Sequence, residues 1–432
     1  MFSSARNLNG RVFSSFLFGI FLLVHVSTGK IALQKEHRIS MIGAGMGSRM
    51  VHYGHFETEV QLRFPHHRLV IRNMCDEGNT PGFRPHPGRG QEEQYAFPGA
   101  KDLVPAKFQA ITKPSGFFET PDQWLTRLRT DIILAFFGFN SSFNGPNGLE
   151  AFKKELTAFL KHSLSQRYNG ESQPLLALIS PTAVEPTPGV TTGASQNKNL
   201  ALYVNAMQKI AKKMRITFVD AYNPSLQWYN GEEVHTVDGA LLNDLGNRKL
   251  ATLLCDRIFG QGNPKKNKRE AIHDAVMDKN FYWLNDFKIP NGVHVYGRRY
   301  NPHGPKNYPF ELQKIRQFTE IRDRAIWAAS IGQGTRLFFE DKAPGNSRLS
   351  AGWNFVSAPE PVLSGKASLL REGRNNNQVV VDQFRHPHHI TDREEEFFAW
   401  VYLDPKNPPK QIMLQFHNGN WEHRAFWGQN LI

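Results

Sequence analysis

The residues of this chain whose types and spacing could do chemistry gather in loops that follow short apolar runs. The first is Ile42-Gly43-Ala44-Gly45-Met46-Gly47-Ser48-Arg49-Met50, a glycine-rich turn leading into a helix. Such a turn offers backbone N–H groups to a phosphate and superficially satisfies a dinucleotide or phosphate loop. The next apolar run ends in Arg72-Asn73, with no acidic residue at its tip to hold a ribose, which argues against a nucleotide. Ser48 and Cys75 are candidate nucleophiles, and His235 is a candidate base. A Ser–His pair requires hydrogen-bond reach of about 3 Å, and a reactive Cys75 would need a base or positive neighbour to lower its pKa. His386, His388 and His389 suggest a metal, but Pro387 and the lack of a nearby carboxylate pair favour a polar turn. His294, Tyr296, Arg298 and Arg299 form a loop motif that could line a cleft or bind an acidic group.

The elements that must position these residues follow from periodicity. Between Arg38 and Phe259 short apolar runs alternate with helical stripes, the pattern of a parallel sheet covered by helices on both faces. The strands are predicted at Arg38–Gly43, Arg68–Asn73, Asp131–Phe137, Pro174–Ser180 and Ile216–Asp220. Leu149, Phe152, Leu156, Phe159, Leu160 and Leu164 share one helix face, as do Leu202, Met207, Ile210 and Ala211; these stripes face the core. A closing helix is predicted from Asp244 to Phe259. The loop from Thr80 to Gly116 is long and rich in Pro and Gly, as functional lids or mobile segments often are. Sites of parallel sheets lie at the carboxyl ends of the strands, where the loops named above fall.

Three of those loops and one later segment carry a resemblance. The glycine turn after the first strand, Asn73-Met74-Cys75-Asp76-Glu77-Gly78 after the second, Gly138-Phe139-Asn140 after the third, and Val237-Asp238-Gly239-Ala240-Leu241-Leu242-Asn243-Asp244-Leu245-Gly246 near the closing helix resemble the sequence blocks of SGNH (GDSL-type) hydrolases. The resemblance implies a three-layer, flavodoxin-like α/β fold with a five-stranded parallel sheet. It also implies ester hydrolysis by a serine after the first strand, activated by a histidine that an aspartate three residues earlier orients. By position, Gly78 and Asn140 match the oxyanion donors and Asp238 matches the orienting acid. Preorganised donors of this kind are each worth roughly 3 kcal/mol. Where the family has its serine this chain has Gly45, and where the family has its histidine this chain has Leu241; neither can attack or accept a proton. Ser48, one helical turn beyond Gly45, and His235, three residues before Asp238, are the residues from which a working pair would have to be rebuilt. The runs Asp278-Lys279-Asn280-Phe281-Tyr282-Trp283-Leu284-Asn285 and Arg322-Asp323-Arg324-Ala325-Ile326-Trp327 extend the resemblance to a GDSL-like module of large exported proteins from planctomycete-type bacteria.

The chain has 432 residues, too long for a single core of at most roughly 250 to 300. Residues 1–29 read as a signal peptide: Arg6 and Arg11, an apolar run from Val12 to Val26, then small residues. That run is shorter than the roughly 20 residues of a membrane span, so export without a stable span is expected, an uncleaved N-terminal anchor being the alternative. Residues 30–262 form the SGNH-like unit, 263–334 a helical extension, and 335–432 a β-rich, sandwich-like domain of carbohydrate-binding type, expected to be partial. Within it Trp421 and Trp427 could stack on sugar rings, although aromatics of a small sandwich are more often core. Cys75 and Cys255, the only cysteines, are read as two buried thiols rather than a disulfide. The net charge of +13 suits acidic polysaccharide or anionic surfaces. The cluster Lys265-Lys266-Asn267-Lys268-Arg269 lacks interleaved aromatics and reads as a linker, so no nucleic acid is expected, nor any cofactor.

Three functions remain open on these grounds. One is an exported SGNH-type protein, weak or inactive as a catalyst, that binds an acylated or polysaccharide ligand in its retained oxyanion pocket. Another is an active ester hydrolase or carbohydrate deacetylase with a relocated nucleophile. The third is an adhesion or scaffold protein.

Overall fold

The computed structural model describes residues 29–104, 116–189, 192–262, 264, 268–290, 292–332, 341–343, 347–363, 365–373, 378–382, 397–417, 420–421 and 423–431. The proposed signal segment, apart from Gly29, and His386, His388 and His389 lie outside the described residues, as do Lys265, Lys266 and Asn267. Two compact units meet at Gly334 and Thr335.

In the first unit five strands, β1 (Arg38–Gly43), β2 (Val70–Cys75), β3 (Ile132–Phe136), β4 (Leu175–Ile179) and β5 (Thr217–Val219), form one parallel sheet in the order β2-β1-β3-β4-β5. The expected three-layer α/β architecture is present. Alternation along β3 divides its side chains: Ile133 and Ala135 join the core under one helical layer, and Ile132, Leu134 and Phe136 join the other. The chain order reverses between β1 and β3, the switch point at which such sheets place ligands. Strand β2 begins two residues later than the apolar run suggests. Arg68 takes a left-handed conformation (φ 51°), and regular pairing starts only beyond it, with Arg38 opposite Val70.

The helices of this unit are α1 (Gly45–Tyr53), α2 (His55–Arg63), α3 (Pro121–Arg127), α4 (Phe139–Ser142), α5 (Leu149–Ser165), α6 (Gly193–Met214), α7 (Tyr222–Trp228), α8 (Asp244–Ile258), α9 (Arg269–Phe287), α10 (Gly292–Val295) and α11 (Tyr300–Ile331). Helices α3, α5 and α6 bury Trp124, Phe152, Leu156, Tyr203 and Met207 on one face of the sheet, and α2 and α8 bury Phe56, Val60, Leu250 and Leu254 on the other. Of the stripe predicted on α6, Met207, Ile210 and Ala211 are buried, whereas Leu202 lies on the solvent side.

Helices α9 and α11 pack along the outer edge of the sheet. The indole of Trp283 donates to the Asn73 carbonyl at 2.7 Å, Trp327 to the Leu69 carbonyl at 3.0 Å, and Lys279 Nζ lies 3.4 Å from the Ile71 carbonyl. These alternate carbonyls point outward from edge strand β2, where another strand would otherwise bond. Lys279 also donates to Glu57 at 2.6 Å, and Arg72 forms a two-pronged pair with Asp323 at 2.9 and 2.5 Å, all four side chains being buried. Such pairs survive burial because each charge is matched and hydrogen-bonded.

The second unit consists, among the described residues, of three two-stranded antiparallel ladders: β6 (Arg348–Leu349) with β9 (Val381–Asp382), β7 (Asn354–Val356) with β8 (Ser368–Leu370), and β10 (Gln411–Phe416) with β11 (His423–Gly428). Residues 397–403 are not assigned to a strand, and Phe398, Trp400 and Tyr402 are exposed.

Candidate active site

The tip of β1 fixes the geometry. Gly43 has φ 139°, and a Cβ there would lie 2.1 Å from the Phe136 carbonyl oxygen of β3, so only glycine lets the strands stay this close. Ala44 N–H donates to that carbonyl at 2.9 Å, after which α1 begins with Gly45. The first N–H groups of α1 have no partner within the helix. A Cβ built on Gly45 meets nothing closer than Glu77 Cγ and Leu241 Cδ2, each at 3.9 Å. The two positions at which the family pattern has its serine and histidine are therefore neighbours in space, with room at 45 for a side chain.

The loop after β2 is tied to that tip. Asp76 N–H and the Asn79 side-chain amide both donate to the Gly43 carbonyl, at 2.9 and 3.1 Å. Between them Gly78 is exposed with φ 80°, no atom lies within 4 Å of where its Cβ would be, and among the described residues its N–H has no acceptor. After β3, Gly138 (φ 110°) turns the chain into α4, and Asn140 Nδ2 donates to the Asn79 carbonyl at 3.3 Å. Gly78 and Asn140 are thus both tied, through Asn79 and Gly43, to the strand tip that carries Gly45.

Asp238 does other work than the resemblance implies. Its exposed Oδ1 accepts from Ala240 N–H at 2.9 Å and Leu241 N–H at 2.7 Å, and it holds the turn that presents Leu241. The candidate pair Ser48 and His235 is not assembled. Ser48 is buried and accepts from Lys288 Nζ at 2.7 Å, whereas His235 is buried against Glu185, with its Nε2 accepting from Lys249 at 2.7 Å. Among the described residues no hydrogen bond joins them. Cys75 ends β2 instead of lying in the loop beyond; it is 1% exposed, and burial pushes its thiol up, the opposite of a reactive cysteine. Cys75 and Cys255 are both free and buried.

Three residues that the sequence does not flag stand beside Gly45. Lys288, just beyond α9, forms ion pairs with Asp76 at 2.9 Å and Glu77 at 3.4 Å as well as its bond to Ser48. Burial pushes the Asp76 carboxyl up, and Lys288 only partly offsets this. Burial also opposes ionisation of Glu77, but hydrogen bonds from the Asp76 carboxyl, its own backbone N–H and Ser48 hold it down at about 2. Of the two acids Asp76 is therefore the harder to ionise. Burial disfavours the Lys288 ammonium, yet the two carboxylates more than compensate and raise its pKa. In its charged form Lys288 donates to Ser48 Oγ, and only its neutral form can take the hydroxyl proton.

The loop from Thr80 is packed in its described part, with Phe83, Arg84, His86 and Arg89 buried. Tyr296 also belongs to the core, edge-on to Phe118, while Arg298 and Arg299 are exposed. In the second unit Trp421 and Trp427 are 49% and 54% exposed rather than core. Among the described residues no group of three or more His, Cys, Asp or Glu could hold a metal, and no helix is long and apolar enough to cross a membrane.

No protein-family model matches the chain, and no curated protein matches it in sequence. Solved structures do. A catalytic mutant of an acetylxylan esterase from Geobacillus stearothermophilus is 12% identical, with 54% of this chain and 100% of that chain covered and a TM-score of 0.38. A lipase/acylhydrolase from Enterococcus faecalis is 15% identical, with 53% and 98% covered and a TM-score of 0.34. An α/β hydrolase from the metagenome of Lake Arreo, Spain, is 13% identical, with 52% and 95% covered and a TM-score of 0.35.

Proposed function

We propose that this protein binds the carbonyl of an acylated saccharide at an SGNH-type oxyanion rim without hydrolysing it. The observation that carries the reading is the juxtaposition of Gly45 and Leu241 beside intact donors: the rim persists where nucleophile and base are lacking. The ligand's acyl oxygen sits against the N–H groups of Gly45 and Gly78 and the amide of Asn140, and Leu241 contacts its acyl carbon chain. Export is part of the proposal, supported by the apolar run Val12–Val26 behind Arg6 and Arg11.

The test is calorimetric titration of an acetylated oligosaccharide and its deacetylated counterpart, run alongside p-nitrophenyl acetate hydrolysis. Preferential binding of the acetylated form, weakened about tenfold by Asn140→Ala, is the expected result, since one hydrogen bond to a developing or fixed dipole is worth about 1.4 kcal/mol in this range. Turnover above that of denatured protein would remove the reading.

One observation favours a second reading. The 2.7 Å contact of Lys288 Nζ with Ser48 Oγ has the form of a Ser–Lys pair, as in some acyl-transfer enzymes. Hydrolysis abolished by Ser48→Ala and by Lys288→Met would install that reading in place of the first.

A further inference from the structure

A chamber with room for about 20 Å³ of solvent lies behind the loop that carries Gly78, lined among others by Asn79, Arg84, His86, Arg89 and Trp124. Space of that size admits one or two oxygen atoms. Its chemistry is lopsided. Arg84 and Arg89 are each 5% exposed, and among the described residues neither has a carboxylate within ion-pair distance. Among the described residues their hydrogen bonds run only to neutral carbonyls: Arg84 to Pro81 at 3.2 Å, and Arg89 to Glu119 at 2.9 Å and to Arg84 at 2.8 Å. Arg84 lies over the rings of Phe137 and Phe159, and Arg89 over Phe118. Among the described residues, two donors of the chamber lining, Arg84 Nε and Trp124 Nε1, are buried without a hydrogen-bond partner, and so is one acceptor, Asn79 Oδ1.

Two buried like charges without a counter-ion are costly, and proteins normally pair them. The lining groups do not supply the pairing. Asp76 is committed to Lys288 at 2.9 Å. His86 stacks on Phe118, accepts Gly88 N–H at 3.0 Å, and is held neutral by burial. Burial disfavours both charges, bringing Arg84 down to about 10 and, with the repulsion of Arg84 added, Arg89 to about 9.

We propose that this chamber takes one or two oxygen atoms of a small oxyanion, a carboxylate or an inorganic oxyanion whose remaining atoms extend through its open side, with Arg84, Arg89 and the Trp124 indole donating to those oxygens. Asn79 Oδ1 accepts from a hydroxyl of the anion or of its first water. Positions 45 and 241 are not among its lining residues, and the inference stands whether or not an ester binds beside them.

The experiment is thermal unfolding of the whole protein at constant ionic strength, titrating formate, acetate, sulfate and phosphate against chloride. A saturable rise in Tm with at least one oxyanion, absent with chloride, is expected; the carboxylate and inorganic arms separate the two sources. The apparent Kd should rise tenfold or more in Arg89→Gln and severalfold in Trp124→Phe, a variant that keeps an aromatic ring but loses the pyrrole ring with its N–H. Equal responses in the wild type and Trp124→Phe, or a response that follows ionic strength alone, would mean an adventitious ion only and would overturn the proposal. A crystal structure in saturating anion with only water bridging Arg84, Trp124 and Asn79 would overturn it equally.

Discussion

If positions 45 and 241 are the seats of a missing nucleophile and base, restoring them should restore acyl transfer. The perturbation is Gly45→Ser with Leu241→His. A Cβ at 45 has 3.9 Å of clearance on both its nearest sides, so the serine enters without displacing anything. Replacing a glycine in the first turn of α1 should also stabilise the helix, by at most about 0.5 kcal/mol. An Oγ one bond beyond that Cβ, and an imidazole occupying the place of the Leu241 side chain, come within about 3 Å, the reach a nucleophile and base need. Asp238 Oδ1 already fixes the backbone of Leu241, leaving Oδ2 to receive the imidazole N–H. A positioned base contributes about 10²- to 10⁴-fold. The double variant should therefore be labelled by a fluorophosphonate probe, and turn over p-nitrophenyl acetate, at least a hundred times faster than Gly45→Ser alone. The label should map to position 45. Asn140→Ala in that background should cost a further 10²-fold, as loss of an oxyanion donor does elsewhere. A folded double variant, its Tm within a few degrees of the wild type, that labels no faster than Gly45→Ser would refute the reasoning.

Burial holds His86 at about 3, far below an ordinary histidine near 6.5. The unfolded chain therefore takes up a proton that the folded one refuses, so stability is full above pH 6.5 and falls as pH drops toward 3. Urea unfolding of His86→Phe, which keeps the stack on Phe118, should show a shallower loss between pH 6 and 4 than the wild type. Lys279→Met strands Glu57 and should cost about 3 to 5 kcal/mol, whereas Lys279→Met with Glu57→Gln should recover most of it; equal losses in calorimetry would contradict the buried pairing. Asp238→Ala removes the one oxygen that accepts two turn hydrogen bonds and should lower stability by about 1 kcal/mol, with the largest rise in hydrogen exchange at Ala240 and Leu241.

The five strands were readable because apolar alternation along β1 and β3 mirrors their two-sided burial, and the site loops because their glycines are tied to backbone conformation. The displacement of β2 was not readable, since a left-handed Arg68 leaves no mark in residue type. Asp76 and Glu77 stand within a readable block, but what makes them distinctive is Lys288, 211 residues from Glu77, and ion pairs across such separations have no period. The loop from Thr80 misled for a related reason. Its prolines and glycines resemble those of a mobile lid, while Arg84 and Arg89 are buried under flat aromatic faces that come from the residue after β3, from α5 and from the segment before α3. In the second unit, aromatic alternation suggested a core, yet without a second sheet over β10 and β11 among the described residues, Phe426 and Trp427 stay in solvent.

The donors that Trp283, Lys279 and Trp327 present to β2 act as a terminator for sheet growth. A β-sheet is a one-dimensional polymer of strands, and each open edge is a site of further addition. Here one end is closed by side chains of two helices instead of by a barrel seam, and the other end is β5, only three residues long. A fragment ending at Gly262 would retain all five strands but expose the Ile71 and Asn73 carbonyls as a ready template. Such a fragment should self-associate through β2 while the longer chain, with α9 and α11 in place, does not.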